Sequence, residues 1–400
     1  MVSSVPGYFD VLVVGCGPAG GAAAATAARK GLSTAVLDKA RFPRDKLCGG
    51  LFSGRSRMHF IEAFGTDIDL SLFLVATEIE LWARGKHLVT RTGVPPLYLT
   101  MRRDLDKAVL DLALQAGAHD LTGHEVVDVA PEAKEVSLRD GTRLRYGVLI
   151  GADGVNSRVA RALFGQAFDQ STVGFALEVE QPNPASGTPT PVRIDFGAAN
   201  WGYGWSFPKK LTRTIGVGGL HQRNEDLRGK LAAYIEELGV TGAAAQVKGH
   251  FVPVGDFRKS AGRKSILLCG DAAGLVDPLT GEGIAYALKS GQIAADCAVE
   301  ALAHGRPEAA LLLYQSRTAA IRRSIAHARA LTTIVYATGL SRAFEALVAT
   351  PTSTRSSYME LLAGEIEYPA LMWRTLRQVP RRALKLGWQA VRPVVEGGKA

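Results

Sequence analysis

The chain has 400 residues, enough for two or three domains of the usual ~100–200 residues. With 47% hydrophobic and 21% charged residues it has the composition of a packed globular protein, which excludes disorder and a low-complexity chain. A net charge of +9 suits an anionic partner, a phosphorylated substrate or a membrane surface, or serves solubility alone. No zinc-finger, helix-turn-helix or aromatic RNA-binding signature is present, so nucleic acid is not expected.

Residues 9–14 read as a short apolar strand leading into a glycine turn, Gly15 to Gly20. No positive segment precedes an apolar one, and no apolar run approaches the ~20 residues that span a bilayer. The four cysteines, Cys16, Cys48, Cys269 and Cys297, form no CxxC pair, so neither a metal site nor a disulfide framework is expected. A cytoplasmic location, with contact at a membrane surface, fits these features.

Ala22 to Arg29 is an Ala-rich helix ended near Gly31, and Thr34 to Leu37 is a second strand closed by Asp38. Together these make a β-α-β unit with parallel strands. Residues 77–82 and 86–90 form a hairpin turning at Arg84–Gly85. A helix covers 101–116, with Leu105, Val109, Leu112 and Leu114 among its apolar positions. Three strands follow over 124–150, with Asp140–Gly141 as a two-residue turn. Between 171 and 220 the pattern changes to period two. Phe175, Leu177 and Val179 alternate with Ala176, Glu178 and Glu180, which predicts an antiparallel sheet with one face buried. Ser265 to Leu268 is another strand, Ile284 to Leu302 a helix, and 310–390 is mostly helical and increasingly basic.

Three segments carry chemistry. The first is Gly15-Cys16-Gly17-Pro18-Ala19-Gly20, between strand and helix, with Asp38 and Lys39 about 20 residues on. Gly15 makes the tight turn, Gly17 lets a pyrophosphate approach the backbone, and Gly20 lets helix and strand pack closely. The helix N-terminus offers unpaired N–H groups to phosphate, and Asp38 is placed to accept from an adenosine ribose. The second segment is Gly151-Ala152-Asp153-Gly154-Val155-Asn156-Ser157-Arg158. The third is Gly270-Asp271-Ala272-Ala273, continuing through Pro278, Thr280, Gly281, Glu282 and Gly283 to a helix at Ile284. An aspartate at a strand end can hold ribityl hydroxyls, and that helix can aim N–H groups at the pyrimidine edge of a flavin.

In this order the three segments resemble the FAD-binding pattern of the para-hydroxybenzoate-hydroxylase-like flavoprotein superfamily. The resemblance implies FAD as cofactor. It places Arg102 near the FAD, Asp153 and Gly154 in the superfamily's central motif, and Asp271 on the ribityl chain. Four further stretches resemble the geranylgeranyl reductase family. They are Arg41-Phe42-Pro43-Arg44-Asp45-Lys46-Leu47-Cys48-Gly49-Gly50, Tyr203-Gly204-Trp205-Ser206-Phe207-Pro208-Lys209, Asp277-Pro278-Leu279-Thr280-Gly281-Glu282-Gly283-Ile284 and Leu362-Ala363-Gly364-Glu365-Ile366-Glu367-Tyr368. Flavin halogenases carry Trp-x-Trp-x-Ile-Pro at the aromatic position, from which Tyr203 and Phe207 depart.

The resemblance implies an α/β, Rossmann-like FAD-binding domain with an inserted antiparallel-sheet (α+β) substrate domain and a C-terminal helical region. Residues 1–72, 98–165 and 250–330 are assigned to the first, 73–97 and 166–249 to the second, and 331–400 to the third. It also implies reduction of carbon–carbon double bonds in an isoprenoid or similar apolar substrate, with NADPH or a ferredoxin-type donor as reductant. Trp201, Tyr203, Trp205 and Phe207 are the candidate substrate wall, or simply core of the sheet. Cys48 and Gly49 are expected at the cofactor, and Cys48 is the candidate for chemistry. Its basic neighbours Lys46, Arg44 and Arg41 are of the kind that activate a thiol, and it could donate a proton, tune the flavin or line the pocket. A flavin monooxygenase or halogenase, and a flavin-binding module without turnover, remain as alternatives. The late basic residues Arg374, Arg377, Arg381, Arg382, Lys385 and Arg392, with Trp373 and Trp388, suit a helix lying on an anionic membrane.

Overall fold

A computed structural model describes residues 6–183, 190–240, 246–254, 260–336 and 357–371. In chain order the elements begin with β1 (Tyr8–Val14), α1 (Pro18–Arg29), β2 (Thr34–Asp38), β3 (Leu51–Phe52), α2 (Gly54–Phe64), β4 (Leu74–Ala83), β5 (Lys86–Leu99) and α3 (Arg102–Gln115). They continue with β6 (His119–Thr122), β7 (Val126–Ala130), β8 (Glu135–Leu138), β9 (Arg143–Gly151), α4 (Arg158–Phe164), β10 (Gly174–Pro182), β11 (Val192–Phe196), β12 (Gly202–Pro208) and β13 (Thr212–Leu220). Then come α5 (Leu227–Glu237), β14 (Lys248–Val252), β15 (Gly262–Arg263), β16 (Ile266–Leu268), α6 (Ile284–Ala303), α7 (Ala309–Arg317), α8 (Ala319–Tyr336) and a short helix over Ser357–Ala363.

The first sheet runs β15-β16-β9-β1-β2-β6, with the β7–β8 hairpin attached to β9. Its centre is parallel: Val11 pairs with Thr34 on one side and Val148 on the other. Parallel strands are covered on both faces, which is why β1 and β9 are continuous apolar runs. On one face Val11, Val13, Val36, Val148 and Ile150 pack under α1, α3 and α6. On the other Phe9, Leu12, Leu37 and Leu149 pack under the β7–β8 hairpin and α4.

The second sheet runs β14-β10-β13-β12-β11-β4-β5-β3. It is antiparallel as its alternation predicts, apart from the parallel pair β11–β4, where the chain returns from a distant segment. One expectation needs correcting. Period two predicted that Ala176, Glu178 and Glu180 face solvent. Instead Ala176 and Glu178 are buried and Glu180 half-buried. Helix α5 covers the Leu177, Val179, Ile215 and Val217 face. The opposite face closes over a cavity shared with the first sheet, so both faces of β10 are covered.

Among the described residues no helix is long and apolar enough to cross a membrane. Trp373, Trp388 and the late basic residues lie outside the described residues.

Candidate active site

The carboxyl ends of β1, β2, β9 and β16 open onto a cavity of about 690 Å³, roofed by the second sheet. Crevices at the carboxyl ends of parallel strands are where such folds bind ligands. At its floor α1 begins. A side chain at Gly20 would put its Cβ 1.8 Å from the Gly15 carbonyl oxygen, so only glycine permits this contact of helix and strand. Gly17 is the N-cap, and no side chain caps the helix there. Its open side faces two guanidinium groups: a Cβ at Gly17 would lie 3.5 Å from Arg102 Nη2 and 4.0 Å from Arg44 Nη2.

These cations are held by two acids, one of them fully buried. Arg102 donates Nε to Asp106 Oδ1 at 2.8 Å and Nη2 to Oδ2 at 2.9 Å, and Asp106 is 0% exposed. Arg44 Nη1 lies 3.1 Å from the same carboxylate, and its Nη2 lies 3.6 Å from Asp38. Asp38 in turn accepts N–H groups from Cys16 at 3.0 Å and Ala40 at 2.9 Å. Two positive groups and an uncapped helix N-terminus therefore converge on one point, which suits a pyrophosphate.

A second uncapped helix, α6, begins at Gly283 and Ile284 on the same cavity. The loop before it is pinned from several directions. Asp277 accepts from the N–H groups of Leu279 (2.8 Å) and Thr280 (3.0 Å) and from the Tyr368 hydroxyl. Tyr203 donates its hydroxyl to the Thr280 carbonyl at 2.8 Å. Glu282 accepts from Ser53 and lies 4.0 Å from Arg55, while burial pushes its carboxyl up to about 7. Arg55, itself buried, donates to the Tyr286 hydroxyl at 2.8 Å and to the Leu361 and Ile366 carbonyls.

The roof is β10, β13, β12 and β11. Tyr203, Trp205 and Phe207 line it, with Tyr203 and Trp205 edge to face at 5.9 Å. Trp201 is placed differently. It sits in the turn before β12 with φ of 51°, stacks on Tyr336 at 6.1 Å and carries Arg223 over its ring at 4.5 Å, at the rim of the cavity. Cys48 and Gly49 line the wall, and the Cys48 N–H donates to Glu178 Oε1 at 3.0 Å. Cys16, Cys269 and Cys297 are buried in the core, where burial pushes each thiol up. Among the described residues no group of three or more His, Cys, Asp or Glu is placed to hold a metal.

Gly15, Gly17, Pro18, Ala19, Asp38, Lys39, Arg102, Gly154, Asp271, Pro278, Gly281, Glu282, Gly283 and Ile284 all line this one cavity. Gly20 supports it from behind. Asp153 lines it too, but its carboxylate is spent on the start of α4, accepting from Ser157 Oγ, Arg158 N and Val159 N. Sequence reasoning missed Asp106, Arg55, Glu178 and His250 as site residues, and had Asp277 only as the first residue of a family-like stretch. Arg44 and Lys46 were seen only as neighbours of Cys48. For Asp106 one signal existed, its i,i+4 spacing from Arg102 on a predicted helix. Burial pushes the Glu178 carboxyl up to about 7, lowers Lys46, and brings His250 down to about 4.

The donor set fits a flavin dinucleotide: an anion cradle would hold its pyrophosphate, and the second uncapped helix on the same cavity would offer N–H groups to the negative charge a reduced ring gathers. Comparisons with known proteins agree. Residues 10–145 match the family model described as FAD dependent oxidoreductase. The chain is 34% identical over 315 residues to the menaquinone reductase of Mycolicibacterium smegmatis, covering 72% of this chain and 75% of that one. It is 32% identical over 343 residues to digeranylgeranylglycerophospholipid reductase 1 of Methanopyrus kandleri, covering 77% and 85%. In fold it resembles a geranylgeranyl bacteriochlorophyll reductase-like protein of Thermoplasma acidophilum. There the TM-score is 0.77 at 24% identity, over 92% of this chain and 98% of that one.

Proposed function

The chain belongs to the geranylgeranyl reductase family of FAD-dependent oxidoreductases, and we propose that it saturates carbon–carbon double bonds in a polyprenyl or similar apolar substrate. The observation that carries this reading is one cavity with two unlike walls. Its floor is an anion cradle for a dinucleotide, and its roof is built from Tyr203, Trp205, Phe207, Ile194 and Ala176. A menaquinone and a digeranylgeranyl lipid, named for two relatives, share a polyprenyl chain that such a roof would cover.

In this reading Gly15, Gly17 and the start of α1 hold the pyrophosphate with Arg44 and Arg102. Asp38 and Lys39 meet the adenosine end, and Asp271 meets the ribityl chain. Gly281, Glu282, Gly283 and Ile284 meet the pyrimidine edge. Reduced FAD supplies a hydride when bound. An isolated alkene is a poor hydride acceptor, so the roof must position it and exclude water. Cys48, which lines the same cavity, is proposed to face the substrate. The sequence carries a single dinucleotide fingerprint and so no dedicated nicotinamide domain, and NADPH or a ferredoxin-type protein is proposed as the reductant of the flavin. The basic segment after residue 370 is proposed to hold the enzyme at an anionic lipid surface. Co-sedimentation with anionic liposomes should fall when residues 372–400 are removed.

The test of the reaction is anaerobic. The bound flavin is reduced with dithionite, and geranylgeranyl diphosphate or a menaquinone is added. Flavin reoxidation should accompany a product heavier by one H2 per bond reduced. If reoxidation requires oxygen and the product contains it, the protein is an oxygenase instead.

A further inference from the structure

The roof of the cavity is largely apolar, and among the described residues of its four strands Glu178 is the one acid that lines the cavity. A row of residues crosses four strands in register: Ile194 on β11 pairs with Trp205 on β12, Trp205 with Gly216 on β13, and Gly216 with Glu178 on β10. Gly216 has no side chain because the indole lies across it. A Cβ there would stand 2.2 Å from Trp205 Cζ2. The ring thus reaches toward Glu178.

Glu178 is 7% exposed and lines the cavity. Oε1 accepts the Cys48 N–H, while Oε2, equally buried, has no hydrogen-bond partner. The neighbouring rows differ. Ala176, Gly218 and Tyr203 form one, with the tyrosine hydroxyl committed to Thr280. Glu180, Thr214 and Phe207 form the other, where the carboxylate is engaged by Thr212, Thr214 and Lys209. A buried carboxylate with an unmet oxygen is costly, and the group avoids that cost by carrying a proton.

We propose that Glu178 is the acid that protonates the alkene, a step that rests on the reductase reading above. The π bond breaks. One C–H bond forms with the hydride supplied by reduced FAD, and the other with the proton of the Glu178 carboxyl. The flavin is oxidised, the alkene is reduced, and the carboxylate left behind is reprotonated from water. The charged and titratable groups around Glu178 are Lys46 and Cys48 from the loop, Lys209 beyond β12, Glu180 on its own strand, and His250 and Lys248 on β14. Burial outweighs them and holds the carboxyl at about 7.

The experiment uses FAD-loaded wild type and Glu178→Gln, with geranylgeranyl diphosphate and a menaquinone as probes. The variant should keep its flavin content and its reduction by dithionite. Its reoxidation by a probe should slow by about 100-fold or more. Wild-type reoxidation should fall as pH rises through about 7, and the variant's residual rate should lack that limb. Independently of turnover, the infrared difference between wild type and variant should show one protonated carboxyl that vanishes over the same pH range. A variant within about threefold of wild type, a surviving pH limb, a missing carboxyl band, or loss of flavin from the variant each overturns the assignment. If neither probe reoxidises the wild type, the reductase reading fails and takes this step with it. An active wild type with an equally active variant sinks Glu178 alone.

Discussion

The floor and roof of the cavity solve opposite problems. At the anion cradle on the floor the cations are matched before any ligand arrives: Arg102 and Arg44 share Asp106, and Asp38 takes both Arg44 and two backbone N–H groups. On the roof, among the described residues that line the cavity, two buried polar atoms, Glu178 Oε2 and Trp205 Nε1, have no hydrogen-bond partner. A surface that must grip an anion keeps its cations fixed, so little reorganisation is needed on binding. A surface that must act on a substrate instead keeps hydrogen-bonding capacity in reserve.

The sharpest break in this contrast is Asp106→Ala. It strips two half-buried guanidinium groups of the fully buried anion they share, so it should cost about 3–5 kcal/mol in denaturant unfolding and weaken FAD retention. Loss of less than about 1 kcal/mol would show that the cradle is not organised by its buried acid.

Next in size is a pH effect. The folded Glu282 carboxyl stands at about 7, above its ordinary 4.5. A group raised in this way stabilises fully below its unfolded value and loses that contribution as pH rises through the folded one. Flavin-free protein should therefore lose stability between about pH 4.5 and 7, by on the order of 3 kcal/mol from this residue. Glu282→Gln should flatten that part of the curve, read by thermal melts across pH.

On the roof, Gly216→Ala should push Trp205 out of register with Glu178. We expect KM for a prenyl probe to rise about tenfold with flavin content unchanged. The smallest effect is expected from Cys48→Ala. The backbone N–H that holds Glu178 survives the change, and the thiol's recorded bond is a weak one from Gly50 N–H at 3.4 Å. Reoxidation should stay within about threefold, and a drop near a hundredfold would return the thiol to the chemistry.

What was legible in the sequence follows the same division. The glycine turn, α1, β2 and Asp38 belong to one β-α-β unit, so local spacing reveals them. The strands of the roof were legible as period two, but their outward face was not. Glu178 looks like a solvent residue because nothing within its own strand says that the 41–50 loop and the first sheet will close over it. Asp106 likewise reads as a surface acid, since its second partner, Arg44, comes from across the fold. Burial created by distant segments leaves no mark on a local pattern. For the same reason the stretches that begin at Asp277 and end at Tyr368 give no local sign that their side chains meet.

That contact bears on how the protein is made. The loop carrying Glu282 is latched by Tyr368 on Asp277 and by Arg55 clasped between the Leu361 and Ile366 carbonyls. During vectorial synthesis the nucleotide fingerprint emerges first and can fold early. The latch closes only after some 350 further residues have been added, so a nascent chain can collapse around its amino-terminal strands well before it is able to lock a flavin in place.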